Sequence, residues 1–248
     1  MKFEDIKFPD VKKVAVSLSG GLDSTTLTYC LVKRYGAENV HALSFYYKQK
    51  QYIELEKAKL TSVGLGIIHK IIDISFLGDI ASGISSNIQG SNIQTPTIQD
   101  ILGDPAPSTQ VPNRNAILTS ILVAYAEAQN CNAIFSAIQS HDLYSYFDTT
   151  PDFWQCIRNM AMLNRKHLIL VETPFMDLSK SDEIEIGTEI DVNYTNTLTC
   201  YNPNENGISD GTCPSCAERI IAFAKNGIID PVKYAKNIPW SDLIKQYS

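Results

Sequence analysis

Ser19-Gly20-Gly21-Leu22-Asp23-Ser24 gathers paired glycines, two hydroxyls and one carboxylate into six residues. That combination suits a nucleotide phosphate. Glycines keep side chains off the backbone, so successive N–H groups can wrap an anion, and a helix starting there adds its positive dipole end. Ser19 and Ser24 can add hydroxyl donors, Leu22 belongs to the same nucleotide-binding loop, and Asp23 is placed to help hold a magnesium ion. No lysine precedes Ser24 and the spacing differs from the kinase-type P-loop, which argues against γ-phosphate transfer. The bland alternative is a tight turn that binds nothing. Six such residues directly behind the apolar run 14–18 favour the phosphate.

A second constellation lies late in the chain, where Cys200 precedes Cys213-Pro214-Ser215-Cys216. A Cys-x-x-Cys turn lets two thiolates face one ion, and a distant cysteine supplies a third ligand. Zinc favours sulfur in a tetrahedron, so a structural site needs a fourth ligand, for which Asp210 is the best placed. The alternatives are a redox pair or unrelated buried thiols. A redox pair normally opens a helix after an early strand, whereas this one follows a polar loop.

The elements that must position these residues alternate. Short runs rich in Val, Ile, Leu or Ala predict strands over 13–18, 40–46, 67–72, 133–137 and 167–171. Helical spacing predicts helices over 24–35, 51–63, 113–129, 151–163 and 180–190. Alternation of this kind predicts an α/β fold, a parallel sheet covered on both faces, with ligands beyond the carboxyl ends of its strands. Residues 78–109, rich in Gly, Ser, Asn, Gln, Thr and Pro, read as a lid or binding loop. The tail 231–248, with Tyr234 and Trp240, reads as an arm packing on the domain or on a partner subunit.

Bulk properties narrow the function. Among 248 residues, 27 Asp and Glu outweigh 21 Lys and Arg, giving a net charge of -6 and no global basic field for nucleic acid. No run is long enough to span a membrane, and no N-terminal stretch reads as a signal peptide. Six cysteines without a secretory signal predict a reducing, cytoplasmic setting rather than a disulfide framework.

Taken in order, these pieces resemble the 7-cyano-7-deazaguanine synthase family, ATP pyrophosphatases of queuosine biosynthesis. The resemblance runs over nearly the whole chain. It is carried by 19–26, by Pro107-Ser108-Thr109-Gln110-Val111-Pro112-Asn113-Arg114-Asn115, and by Tyr125-Ala126-Glu127. Further matches are Thr173-Pro174-Phe175-Met176 with Leu178-Ser179-Lys180, then 197–202 and Cys213-Pro214-Ser215-Cys216-Ala217-Glu218-Arg219. It implies a doubly wound sheet of the adenine-nucleotide-binding type over 1–196, with an inserted substrate loop over 78–109. Residues 197–248 would form a zinc-binding knuckle and a helical arm. The implied activity uses ATP and ammonia to turn 7-carboxy-7-deazaguanine into an amide and then a nitrile. Mg2+ and Zn2+ are the implied metals, and a homodimer the implied assembly.

Carried over by residue, the loop 19–24 would hold pyrophosphate and magnesium. Arg114 would clamp phosphate or the substrate carboxylate, and Lys180 would neutralise charge as the acyl-adenylate forms. Asp142, Tyr146 and Asp148 stay in register with the family's base-binding loop. Departures cluster there and after the second strand. Phe147-Asp148-Thr149 replaces the family's Pro-Asp-Cys, Tyr47-Lys48-Gln49-Lys50-Gln51 replaces Tyr-Gly-Gln-Arg-His, and Asp210 stands where the family has a fourth cysteine. They leave open an enzyme that stops at the amide or passes the activated deazaguanine to another acceptor. A tRNA-thiolating pyrophosphatase is a further alternative.

Overall fold

The apolar strand residues sort to both sides of a sheet in the computed structural model, which describes residues 1–96, 107–140, 146–164 and 166–247. The strands are β1 (Val14–Ser17), β2 (Val40–Tyr46), β3 (Ile68–Asp73), β4 (Ala133–Phe135) and β5 (Leu170–Glu172). Their order is β3-β2-β1-β4-β5, and every pairing is parallel. Val14 aligns with Val40 on one side and with Ala133 on the other.

The helices among the described residues are α1 (Leu22–Tyr35), α2 (Glu54–Leu65), α3 (Phe76–Ala81) and α4 (Arg114–Ala128). They continue with α5 (Pro151–Met162), α6 (Lys180–Glu189), α7 (Pro214–Lys225) and α8 (Trp240–Tyr247). Successive strand side chains point to opposite faces, which divides the sheet between two cores. Val14, Val16, Ala133 and Phe135 pack with Leu27 and Leu31 of α1 and Ile186 of α6. Ala15 and Ile134 pack with Leu122 and Ala126 of α4 and with Trp154 and Ile157 of α5. Helices on both faces make this the doubly wound α/β sheet that the alternation predicts.

The sequence runs outward from β1 through β2 to β3, then returns across β1 to β4 and β5. That reversal opens a crevice between the carboxyl ends of β1 and β4, where doubly wound sheets bind ligands. Leu22, Ile184, Tyr194 and Phe223 join α1, α6 and α7 beside it. A further apolar cluster surrounds Cys200, Cys213 and Cys216 and takes in Ile53, Tyr234, Trp240 and Leu243, so α8 packs there.

Several boundaries move. α1 starts at Leu22, because Gly21 is already its cap. The last strand is Leu170–Glu172 rather than 167–171, since the His167 ring is turned to the Cys131 carbonyl at 2.9 Å. The stretch 78–109 is partly built: α3 reaches Ala81, Gln49 bridges Ile88, and Asn87 Nδ2 donates to the Thr109 carbonyl at 2.8 Å. Its residues 97–106 lie outside the described residues. α7 answers to no predicted helix; Cys213 caps it and Pro214 opens it.

Candidate active site

A cavity of about 300 Å3 opens at the crevice. The loop after β1 forms its floor. Ser19 Oγ and Ser24 Oγ stand 3.0 Å apart, and the Gly21 N–H donates to Ser19 Oγ at 3.1 Å, so the turn is braced by its own hydroxyls. No side chain caps the start of α1, leaving first-turn N–H groups for an anion. Gly20 has φ +93°, and a Cβ there would lie 2.0 Å from the Glu54 carbonyl oxygen. Its own carbonyl accepts from the Leu198 N–H at 2.9 Å. Gly20→Ala therefore combines left-handed strain with a clash against backbone. It is expected to cut nucleotide affinity at least about tenfold, since such strain alone is of order 1–3 kcal/mol. Nucleotide titration checks this, and unchanged affinity would remove the assigned role of the loop.

Asp23 and Gln139 line one wall, and an ionic chain runs behind them. Lys180, at the start of α6, places Nζ 2.7 Å from Asp23 Oδ1 and 3.3 Å from Gln139 Oε1. Gln139 Nε2 donates onward to Glu183 Oε1 at 2.8 Å, and Glu183 is fully buried. The capping box between Ser179 and Asp182 fixes the helix start that aims Lys180. Burial pushes the Asp23 carboxyl up, but the Lys180 charge and a hydrogen bond with Glu183 outweigh it and hold Asp23 below its ordinary value. Gln139 and Glu183 were not among the residues expected from sequence. The Lys180-x-x-Glu183 spacing, which puts both on one helix face, was the available signal.

The opposite wall centres on Arg114, which opens α4 behind Asn113 in a left-handed conformation. Burial works against its charge, but Tyr47 and Asp148 outweigh that and hold it firmly protonated. Asp148 is buried at 3 % exposure, and its carboxylate accepts from the Asn115 N–H at 3.4 Å. Tyr146 bonds through its hydroxyl to Thr109 Oγ1. Tyr146, Asp148 and Arg114 line the same cavity as Asp23 and Ser24. Tyr47 and Glu54 also line it and were not expected from sequence. Asp142 lies outside the described residues.

Cys200, Asp210, Cys213 and Cys216 bring their ligand atoms within 4.8 Å of one another. The Cys200 and Cys213 sulfurs are 3.9 Å apart, close to the roughly 3.8 Å that two thiolates span on a tetrahedral zinc ion. Hydrogen bonds from Cys200 and Cys216 pull the Cys213 thiol down to about 4. The donor set fits zinc. Behind it, Arg219 of α7 is buried in a two-pronged pair with Asp230, at 2.6 and 2.9 Å. Arg219 also donates to Thr197 and Thr199 Oγ1, at 2.8 and 3.0 Å. Those residues flank Leu198, which holds Gly20.

The parallel sheet, the loop at its switch point and the lysine from α6 define an α/β nucleotide-binding fold of the pyrophosphate-loop type. The family of the queuosine biosynthesis protein QueC matches residues 13–227, and this chain belongs to that family. The 7-cyano-7-deazaguanine synthase of Caldicellulosiruptor bescii is 38% identical over 232 residues, covering 92% of this chain and 100% of the relative. That of Rickettsia felis is 35% identical over 229 residues, covering 90% of this chain and 100% of the relative. The U34-tRNA thiolase NcsA of Methanococcus maripaludis has a similar fold. Its TM-score is 0.50 at 15% identity, over 99% of this chain and 74% of that one.

Proposed function

We propose that this chain uses ATP to adenylate 7-carboxy-7-deazaguanine, passes the acyl group to ammonia, and dehydrates the resulting amide to 7-cyano-7-deazaguanine. The match to the whole length of relatives named 7-cyano-7-deazaguanine synthase, over 90% and 92% of this chain, carries the reading. The cavity supports it by facing a phosphate loop with Arg114, Tyr146 and Asp148. A carboxylate resists ammonia because its leaving group would be oxide; adenylation replaces that with AMP. The amide oxygen needs the same activation by a second ATP.

In this reading Ser19, Ser24 and the N–H groups of 20–24 hold the pyrophosphate. Asp23 offers a hard oxygen to Mg2+, which would neutralise phosphate charge. Lys180 and Arg114 balance the charge that develops as the acyl-adenylate forms and breaks. Asp148 accepts from the N–H edge of the base, and Tyr146 flanks the ring. Asp142, on the same loop, is assigned with them from sequence alone. The protein supplies position and a water-poor cavity rather than a covalent nucleophile.

The test is mass spectrometry of a reaction with ATP, ammonium and 7-carboxy-7-deazaguanine. The nitrile, with AMP released at both steps, is expected. An unmodified deazaguanine would overturn the reading, and accumulation of amide alone would confine it to the first step.

Cys200, Asp210, Cys213 and Cys216 would hold one zinc ion, serving structure rather than the reaction. Metal analysis should find one zinc per chain, lost in a Cys213→Ser, Cys216→Ser double variant. Undiminished zinc in that variant would sink the assignment. No helix among the described residues is long and apolar enough to cross a membrane, and a cytoplasmic setting fits the free thiols. A homodimer is supported by β3, an edge strand that exposes Ile68 and Ile71; sedimentation of the purified chain tests it.

A further inference from the structure

Three acceptor groups on the β2 side of the cavity have no assigned role. Gln51 and Asn87 are buried, at 8 % and 4 % exposure, and Gln51 Oε1 and Asn87 Oδ1 have no hydrogen-bond partner among the described residues. Both residues line the cavity, as does Glu54. The Asn87 amide is oriented by the bond from Nδ2 to the Thr109 carbonyl, which leaves Oδ1 as its free end. Backbone bonds hold the three together: the Lys50 N–H donates to the Asn87 carbonyl at 2.8 Å, and the Glu54 N–H to the Gln51 carbonyl at 2.9 Å. The two enclosed amide oxygens, without donors and beside the Glu54 carboxylate, call for a ligand that brings N–H groups.

We infer that Glu54, with the amide oxygens of Gln51 and Asn87, receives the ammonium ion, and that the Glu54 carboxylate removes the proton that makes it a nucleophile. This rests on the reading proposed above. An ammonium ion presents N–H bonds in four directions and suits several acceptors converging from different elements. The N–H edge of a deazaguanine is the competing ligand, but that edge lies across the ring system from the 7-carboxyl group. The Glu54 backbone lies directly against Gly20 of the phosphate loop, which puts the head of α2 at the phosphate end of the cavity, where the proposed reading forms the acyl-adenylate.

The electrostatics agree. Burial raises the Glu54 carboxyl to about 8, while a hydrogen bond with Gln49 and the charge of Arg114 limit the rise. Tyr47, also raised by burial, interacts with the same carboxyl. A base with its pKa near the working pH is the efficient kind. Ammonium gives one proton to Glu54 and becomes ammonia. The nitrogen lone pair then forms the C–N bond at the acyl carbon as the C–O bond to AMP breaks. AMP leaves with that electron pair, and the surplus N–H proton of the new amide passes to the AMP phosphate.

Glu54→Gln with hydroxylamine as an alternative nucleophile tests the proposal, because hydroxylamine is already neutral at pH 7. Amide formation from ammonium is expected to fall by about 100-fold or more. Hydroxamate formation should fall far less, and exchange of labelled pyrophosphate into ATP should persist. The ammonium defect should also shrink as the pH rises and free ammonia becomes abundant. An undiminished ammonium rate would overturn the proposal, as would equal loss with both nucleophiles or loss of exchange. If the wild-type chain itself shows no exchange, the proposed function fails instead. Folding is monitored separately. The folded-state carboxyl titrates above its unfolded value, so its contribution is fully present below the unfolded pKa and lost as pH rises through about 8. Glu54→Gln should therefore melt no lower than wild type at pH 9.

Discussion

Asp23→Ala is expected to abolish AMP release, by about 10²–10³-fold or more, on the scale seen when one preorganised charge-stabilising group is removed from an active site. The side chain does two jobs at once. In the proposed reading it offers oxygen to Mg2+, and in the structure it anchors Lys180, whose side chain is only 11 % exposed. Without it, Lys180 loses its carboxylate partner, and the neutral Gln139 amide at 3.3 Å holds it less firmly. The fold should survive, because Asp23 belongs to the first turn of α1 and is still 30 % exposed. Asp23→Asn should be equally inactive, since it preserves shape but removes the charge. Chromatographic assay of AMP, with circular dichroism as the control, decides this; normal AMP release by either variant would remove the basis of the assignment. The depressed Asp23 pKa also sets a direction with pH. Its ionic contribution is present above the unfolded carboxyl value and is lost only as pH falls through the lower folded value.

Arg219→Ala should be the most destabilising single change, at roughly 3–5 kcal/mol, the usual cost of removing one partner from a buried ion pair. Arg219 and Asp230 are 1 % and 0 % exposed, so the carboxylate left behind would have little access to water. Among the described residues, the Tyr234 hydroxyl at 2.6 Å and the Val232 N–H at 3.1 Å would remain bonded to it. An Arg219→Met, Asp230→Leu double variant should recover much of the stability, since apolar replacements of both partners remove the stranded charge. It should not recover ATP affinity. Thr197 and Thr199 lose their donor in both variants, and the segment they hold supplies the Leu198 bond to Gly20. Urea unfolding and nucleotide titration separate the two effects; an unshifted midpoint in Arg219→Ala would contradict the role given to the pair.

What could be read from the sequence divides along physical lines. β1, its glycine turn and α1 were legible because strand, turn and helix are contiguous and each carries a local signature. The cysteine cluster was legible because its ligand spacing is itself the signal. α3 was not, since six residues are too few for helical periodicity to emerge inside a polar stretch. α7 was obscured because Cys213 to Arg219 read first as metal chemistry, although Pro214 at a helix start and buried Ile220 and Phe223 carried the pattern. The site residues that escaped notice, Tyr47, Glu54, Gln139 and Glu183, lie far apart in sequence. Each follows a strand end or sits in an ordinary helical stretch; the crossing order of the sheet brings Tyr47, Glu54 and Gln139 to one cavity, with Glu183 behind Gln139.

The bond from Leu198 to the Gly20 carbonyl has a temporal consequence. It closes a loop of well over a hundred residues, and contacts of such separation form late, after the local helices and the inner strands. During synthesis the glycine turn emerges early but stays unbraced until the segment around Leu198 has followed it and docked. The shape of the glycine turn thus waits for the segment around Leu198. A chain interrupted before Leu198 would carry the recognisable loop without the clasp that gives it shape.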